Sequence, residues 1–201
     1  KALGRHAPHE AAELLQRGIR LADGFLEDTP EHKKLVLGLL SLLPPALIAA
    51  RGYTAPELAG VFQRKLELAE QLGEWQTQFF TLYGMSMFHL GMGELDVAIS
   101  LADHLLTMAE GSKEPIQRMM AHNALGTTLL FAGKPRQANE HLSAAIMLAG
   151  GIGTAGDQLG QMTGQDPLAS QLGLCAIASN AIGHPERALA LMQQAHERAN
   201  A

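Results

Sequence analysis

The sequence has little of what a disulfide framework, a large β-sheet or a nucleic-acid-binding surface requires. Its single cysteine, Cys175, excludes an internal disulfide and a cysteine-rich metal site, and fits a reducing compartment. Valine and isoleucine are scarce, at three and eight residues, so a sizeable sheet is not expected. Charged residues make up only 17% of the chain, the formal net charge is −5, and no basic block occurs. Nucleic acid is therefore not expected as a direct partner.

A membrane-spanning segment is also not expected. The longest apolar run covers 35–50, and Pro44 and Pro45 interrupt it. A bilayer span takes about 20 apolar residues, so this run is too short to span one comfortably, and we expect it to belong to an irregular hairpin bent at the two prolines. No charged-then-apolar leader opens the sequence, which begins at Lys1 without a methionine. We therefore expect a cytoplasmic fragment of a larger protein.

What the sequence does contain is helix-forming residues in a repeated frame. Leucine and alanine together supply 64 of 201 residues, which favours helix. Three segments, 82–98, 122–145 and 172–195, each show apolar residues three or four apart, then a glycine, then an alanine five positions later. The glycines are Gly93, Gly133 and Gly183, and the alanines are Ala98, Ala138 and Ala188. Each segment predicts two helices that meet at a glycine with positive φ and pack closely at the alanine.

This frame resembles the tetratricopeptide repeat (TPR), and it fits best around Leu125-Gly126. The aromatic positions of the consensus are filled by His89, Leu129 and Ser179, so the repeats are divergent. The resemblance implies an all-α, right-handed superhelical stack of antiparallel hairpins, a TPR-like solenoid of about nine helices in one domain over 1–201. The predicted hairpins cover 31–73, 75–110, 113–149 and 167–200, with a leading helix at about 9–26.

Local signals refine the helix ends. Thr54 to Glu57 form a capping-box pattern that predicts a helix running to Leu72 and closed by Gly73. Three prolines stand where a helix begins, at Pro135, Pro167 and Pro185. The six glycines of 149–165 predict a flexible loop over 150–165.

Several segments together are similar to the helical region of large bacterial signalling ATPases. That family joins an adenylate or guanylate cyclase domain, or a LuxR-type DNA-binding domain, to an ATPase and then to helical repeats. The segments that carry the resemblance are 49–58, 121–129, 164–167, 174–175 and 182–189. The family's relatives tend to carry tryptophan near Asn180 and an aromatic residue near His184, and this chain does not. The resemblance implies a non-enzymatic sensor or scaffold segment of a signal-transduction or transcription-regulating protein, since no catalytic residue carries over.

Two motifs that could carry chemistry have plainer interpretations. Residues 151–156 match G-x-G-x-x-G, but the segment before them has helical rather than strand periodicity, which favours a loop over a dinucleotide site. His6, His9 and Glu13 share one helix face and could ligate zinc, but an exposed helix end is the favoured interpretation. No cofactor or metal is therefore expected.

Three further side chains are interpreted as packing residues. His89 and His122 occupy positions that normally pack between helices, so we expect them to be partly buried and bonded to the backbone. Cys175 occupies a core position, which favours a small buried hydrophobe over a nucleophile. No catalytic residue is predicted.

The first helix of each hairpin is expected to line a concave groove. Its predicted residues contain no lysine or arginine, so a clamp for a peptide carboxylate is not expected. An apolar groove suits an apolar helix, a hydrophobic peptide or an adjacent domain of the parent chain. A second copy of the chain is a further possible partner. The alternatives are that the groove is simply core, or that it holds a small molecule as a sensor. The predicted residues are Phe80, Tyr83, Met87, Leu90, Met120, Asn123, Thr127, Leu130, Ile177 and Asn180, with Ser170 and Gly173 in the same register.

Overall fold

The computed structural model describes residues 3–25, 29–112, 114–150 and 166–200, without the side chains of 3–6, 25 and 167. Nine α-helices and no strand occur in these ranges, which confirms the all-α prediction. The predicted loop over 150–165 lies outside the described residues except for Gly150. The helices are α1 Leu3–Phe25, α2 Pro30–Arg51, α3 Glu57–Gln71, α4 Trp75–Gly91, α5 Leu95–Glu110, α6 Pro115–Phe131, α7 Pro135–Ala149, α8 Pro167–Ala181 and α9 Pro185–Ala199.

The helices group into two compact units, residues 1–94 with α1 to α4 and residues 95–201 with α5 to α9. Three predicted hairpins are packed helix pairs, namely α2 with α3, α6 with α7, and α8 with α9. The predicted hairpin over 75–110 contributes one helix to each unit. The organisation of the chain as one domain stays a prediction.

In the first unit each helix packs against the next in chain order. The core is a cluster of buried apolar side chains, in which α2 supplies Val36, Leu40, Leu43 and Leu47. By length and composition alone α2 could also cross a membrane, with a mean hydropathy of 1.6 over its best window. A core helix meets the same criterion, and the contribution of α2 to the cluster is what a core helix makes.

The start of α3 differs from the sequence prediction. Thr54 does not cap the helix, because α3 begins at Glu57 after Pro56 and has no side-chain cap. Glu57 pairs with the Arg51 guanidinium instead of reaching back to a backbone N–H. The proline prediction is confirmed, since Pro135, Pro167 and Pro185 each open a helix.

In the second unit, α6 and α7 approach each other closely at Gly126 on α6. A Cβ atom at this position would lie 2.8 Å from Leu142 Cγ and 3.2 Å from the Ala138 carbonyl oxygen on α7. Ala138 and Ala145 are fully buried beside it. Small residues at these repeat positions therefore let α6 and α7 pack closely, as the repeat frame predicts.

The predicted glycine turns form one repeated backbone motif. Gly93, Gly133 and Gly183 have φ of 78°, 71° and 88°, and Gly73 has φ of 68°. At all four, the N–H of the residue after the glycine donates to a carbonyl five residues earlier, at 2.8–2.9 Å, and the glycine N–H donates three residues back, at 3.0–3.1 Å. These are Schellman turns, which need the left-handed conformation that glycine adopts without steric cost.

Candidate functional site

The predicted groove residues of the first unit lie on α4. Phe80, Tyr83, Met87 and Leu90 are all half-buried. The same helix buries Phe79 completely, so α4 directs one face to the core and a partly covered face outward. This face mixes aromatic and thioether groups, which adapt well to an apolar partner surface.

The predicted groove residues of the second unit lie on α6 and α8, and they differ in accessibility. On α6, Met120 and Thr127 are buried, at 4% and 8% exposed, while Asn123 and Leu130 are half-buried. Those two buried side chains are packing positions, so the accessible part of the predicted groove is narrower than the sequence indicates. Which partner these residues meet stays a prediction.

The exposed residues of the predicted groove in the second unit form one strip along α8, which we call the α8 strip. Ser170, Ile177 and Asn180 are exposed, with Ile177 at 54%. A Cβ atom at Gly173 would meet nothing within 4 Å, so the backbone itself is open there. The whole of α8 lacks charged side chains. The strip therefore presents an uncharged surface with one apolar side chain at its centre.

A polar network on the opposite side of α8 holds the strip in place. Asn139 Oδ1 on α7 accepts from Ser179 Oγ at 2.9 Å and from Cys175 Sγ at 3.6 Å. Ser143 Oγ lies 3.6 Å from Cys175 Sγ and accepts from Arg187 of α9 at 2.9 Å. Cys175 is fully buried, so its thiol is a packing and hydrogen-bonding group rather than an accessible nucleophile.

A pair of histidines joins α6 to α7. The Nδ1 atoms of His122 and His141 lie 3.0 Å apart, so one ring donates its hydrogen to the other. Burial lowers the pKa of both rings. For His122, positive charge on the neighbouring His141 and Arg118 side chains lowers the pKa further. For His141, the carboxylates of Asp103 and Glu140 oppose the effect of burial. Burial and neighbouring positive charge disfavour protonation of the pair, and two protonated rings would also point N–H groups at each other.

We expect this pair to make the second unit less stable in acid. Because the folded-state pKa values lie below the ordinary 6.5, the unfolded chain binds more protons as the pH falls through that value. The free energy of unfolding should be at its full value above pH 6.5 and fall below it, levelling off once the folded pKa values are passed. Urea unfolding from pH 8 to pH 5 measures this slope.

The control separates the pair from the other histidines. H141Q should flatten the slope, while H104Q, at an exposed position on α5, should leave it unchanged. An equal slope in the wild type and H141Q would contradict the assignment to this pair.

The other candidates from the sequence do not form a chemical site. His89 and His122 are partly buried as predicted, but both bond to side chains rather than to the backbone; His89 Nδ1 lies 2.5 Å from Glu94 Oε2. His9 Nε2 lies 3.5 Å from Glu13 Oε1 at an exposed position, and the His6 side chain lies outside the description. Across the described part of the chain, no three His, Cys, Asp or Glu side chains group as metal ligands.

The glycine motif at 151–156 also lacks its expected context. Helix α7 extends to Ala149, so a helix rather than a strand precedes Gly151. The motif itself lies outside the described residues. A dinucleotide fold needs a strand before its glycines, and that requirement is not met.

The clefts in the described units are open to solvent. One of about 480 Å³ lies between the start of α7 and the end of α8, lined by Lys134, Pro135 and Ile182 among others. Another, of about 370 Å³, lies over α2 between α1 and α3, with Leu40 and Leu43 at its base. Neither encloses a small molecule, whereas ligand sites usually bury most of the ligand surface.

Two features of the structure have no counterpart among the sequence predictions. Lys65 lies in the buried stripe of α3, and several leucines of α1 and α2 are exposed. The burial of Lys65 could have been predicted only from helical spacing, because positions 58, 62, 65 and 69 share one helix face and the other three hold apolar residues.

Comparison with known proteins shows the fold. No family model matches the sequence, and no curated protein matches it. A crystal structure from Podosopora anserina, described as a kinesin light chain with nearly identical TPR-like repeats, has a TM-score of 0.68 at 15% identity, covering 94% of this chain and 85% of that one. BtubC (BKLC) from P. vanneervenii has a TM-score of 0.57 at 13% identity, covering 95% and 90%. The chain thus has the fold of TPR-like helical repeat proteins, as the repeat frame predicts.

Proposed function

We propose that the chain is a non-enzymatic protein–protein interaction module, and that its α8 strip is a docking surface for an apolar helix or peptide. The observation that carries the proposal is the combination of exposure and absence of charge along α8. Ile177 is 54% exposed beside the open backbone of Gly173, and no cation on α8 would attract a carboxylate. A partner that covers Ile177 would remove its apolar surface from water, and an uncharged partner segment would leave no charge unpaired against the strip.

The half-buried residues of α4 are proposed as a second contact surface within the first unit. Tyr83 and Met87 are only partly covered, and aromatic and methionine side chains are common at interfaces that adapt to a partner. Repeat hairpins present such faces from rigid helices, so binding needs little reordering of the module. The mechanism is recognition by shape, with no bond made or broken.

We further propose that the partner belongs to a bacterial signalling or transcription-regulating system in the cytoplasm. The support is the resemblance of 49–58, 121–129 and 182–189 to the helical region of large signalling ATPases. In that setting, an adjacent domain of the parent chain would occupy the strip and pass its state to an output domain. The alternative, a small-molecule sensor, has less support because the strip and the clefts described above are open.

Oxidative footprinting tests the docking surfaces by measuring side-chain accessibility. We expect Tyr83, Met87 and Ile177 to be oxidised more slowly in the longer parent protein than in this chain, because a neighbouring domain covers them. Met147, which is 81% exposed on α7, is an internal control that should react equally in both. Equal oxidation of Ile177 in both proteins would contradict the proposal.

A further inference from the structure

Helices α1 and α2 each carry an exposed stripe with alternating spacings of three and four residues. On α2, residues 35–50 contain no charged side chain, yet five of them are exposed. The stripe of α2 consists of the exposed residues Leu35, Gly38, Leu42, Pro45 and Ala49, and that of α1 of the exposed residues Ala7, Glu10, Leu14, Arg17, Leu21 and Gly24. Outside its stripe α1 also exposes His9, Glu13, Arg20 and Asp23, and at its two ends α2 exposes Pro30, Glu31, Lys34 and Arg51. This spacing is the one by which helices pack along a common seam with another helix.

The two stripes lie side by side. A Cβ atom at Gly18 would lie 3.6 Å from Leu39 Cδ1, which fixes the register of α1 on α2. Helix α2 follows α1 in the chain and packs against it, so the position of Gly18 beside Leu39 puts Leu14 at about the level of Leu42 and Leu21 at about the level of Leu35. We call this surface the leucine face; its members Leu14, Leu21, Leu35 and Leu42 are 68%, 50%, 51% and 62% exposed.

No helix of the first unit covers the leucine face in the described residues. Helix α1 packs on α2, and it reaches α3 through the ion pair of Asp23 with Arg64. The outer helices of a repeat stack normally present a polar surface, because exposed apolar area favours association. Four half-exposed leucines on one face therefore indicate a surface that is covered by a partner.

We propose that a second copy of this chain covers the leucine face, in a two-fold symmetric dimer with α1 antiparallel to α1 and α2 antiparallel to α2. In each stripe, a leucine on one side of the central leucine is matched by an alanine at the same distance on the other side. Ala7 and Leu21 are each seven residues from Leu14, so a two-fold axis at Leu14 sets a leucine of one copy against an alanine of the other. Leu35 and Ala49 are likewise each seven residues from Leu42.

The charges within the α1 stripe obey the same symmetry. Glu10 and Arg17 lie on opposite sides of Leu14, four and three residues away. An antiparallel arrangement about Leu14 therefore sets Glu10 of each copy near Arg17 of the other, whereas a parallel one sets like charges together. Opposite charges at a rim fix the orientation of an interface more than its strength.

The size of the face suits a stable dimer. Two helices of 23 and 22 residues are about 33 Å long and about 20 Å wide together, a projected area of about 660 Å², which is of the same order as the ~800 Å² of accessible surface that each partner of a standard interface buries. A lipid surface would also accept leucines, but the stripe of α1 carries Glu10 and Arg17 at its centre. Burial of both charges in hydrocarbon is unfavourable without partners, so a protein partner is favoured.

Light scattering after size exclusion tests the dimer. We expect the wild-type chain to have twice its monomer mass of 21.5 kDa, and L14E and L42E to have the monomer mass. M147E, at an exposed residue of the other unit, should stay dimeric. Far-ultraviolet circular dichroism of each variant shows that loss of the dimer is not loss of helix. A wild-type mass of one chain would overturn the proposal, since the leucines would then be uncovered by a second copy.

Site-specific cross-linking tests the geometry in a background where the buried Cys175 is replaced by alanine. L14C should form a disulfide with itself, because the two-fold axis passes there. L35C and A49C should each stay uncross-linked alone and cross-link when the two proteins are mixed and refolded together. Because each of these proteins has only one cysteine, the bond must join two chains. Cross-linking of L35C with itself but not with A49C would overturn the antiparallel arrangement.

A charge exchange tests orientation independently of folding. E10R or R17E should weaken the dimer, and the double variant E10R/R17E should restore its wild-type dissociation constant. A monomeric chain that floats with phosphatidylglycerol vesicles, and loses this property in L42E, would overturn the proposal in favour of a lipid surface. These outcomes concern the first unit and α1–α2 only, so they are separate from the footprinting of Ile177 on α8.

Discussion

G126A is expected to lower the free energy of unfolding by about 1–3 kcal/mol, the range found when a methyl group is forced into a packed core. The added Cβ would lie 2.8 Å from Leu142 Cγ and 3.0 Å from the Leu142 backbone nitrogen. Contact with backbone atoms leaves little room for adjustment, so α6 and α7 must move apart. Helix propensity alone would give the opposite sign, because alanine is better than glycine in a helix interior by about 1 kcal/mol. Urea unfolding measures the difference.

The same substitution at Gly173 is the matched control. Gly173 lies inside α8, and a Cβ atom there would meet nothing within 4 Å. G173A should therefore stabilise the chain by about 0.5–1 kcal/mol through helix propensity. L142A would create a cavity by itself, but its cost should be smaller in the G126A background, because the two changes share one space. A G126A protein as stable as the wild type would contradict the close approach of α6 to α7.

The features that sequence predicts well depend on neighbours within a few residues along the chain. The turn glycine Gly133 needs positive φ whatever surrounds it, and Ala138, five positions later, lies against α6 as a direct result. Proline at a first helical position has the same local origin. The repeat frame therefore specifies the fold class, even though its aromatic positions hold other residues.

The features that sequence does not predict depend on contacts between distant residues. Thr54 fits a capping box, but the pairing of Glu57 with Arg51 competes for the carboxylate, and α3 begins later. His122 meets His141 only because α7 folds back on α6. Met120 and Thr127 share helical spacing with accessible residues, and spacing alone does not tell how far neighbouring helices cover them.

Lys65 gives the second large effect, and it is a stabilising one. K65M is expected to raise the free energy of unfolding by about 1–2 kcal/mol, because an apolar side chain of similar length replaces a buried charge. Lys65 is 8% exposed and lies in the buried stripe of Leu58, Phe62 and Ala69. In the buried stripe of α5, which has the same spacing, the position equivalent to Lys65 holds Leu105. Burial lowers its pKa, and no carboxylate pairs with its ammonium group among the residues described.

The pH dependence of this gain distinguishes a buried charge from better packing alone. Because the folded-state pKa of Lys65 lies below the ordinary 10.5, the unfolded chain binds more protons between those two values. The stability of the wild type, relative to K65M, should therefore rise as the pH increases through that window, and the difference between the two should shrink. R136M, which removes an exposed charge on α7, should change stability by less than about 0.5 kcal/mol and show no such window. A gain in K65M that stays constant from neutral to alkaline pH would mean that packing, and not desolvation of the ammonium group, is responsible.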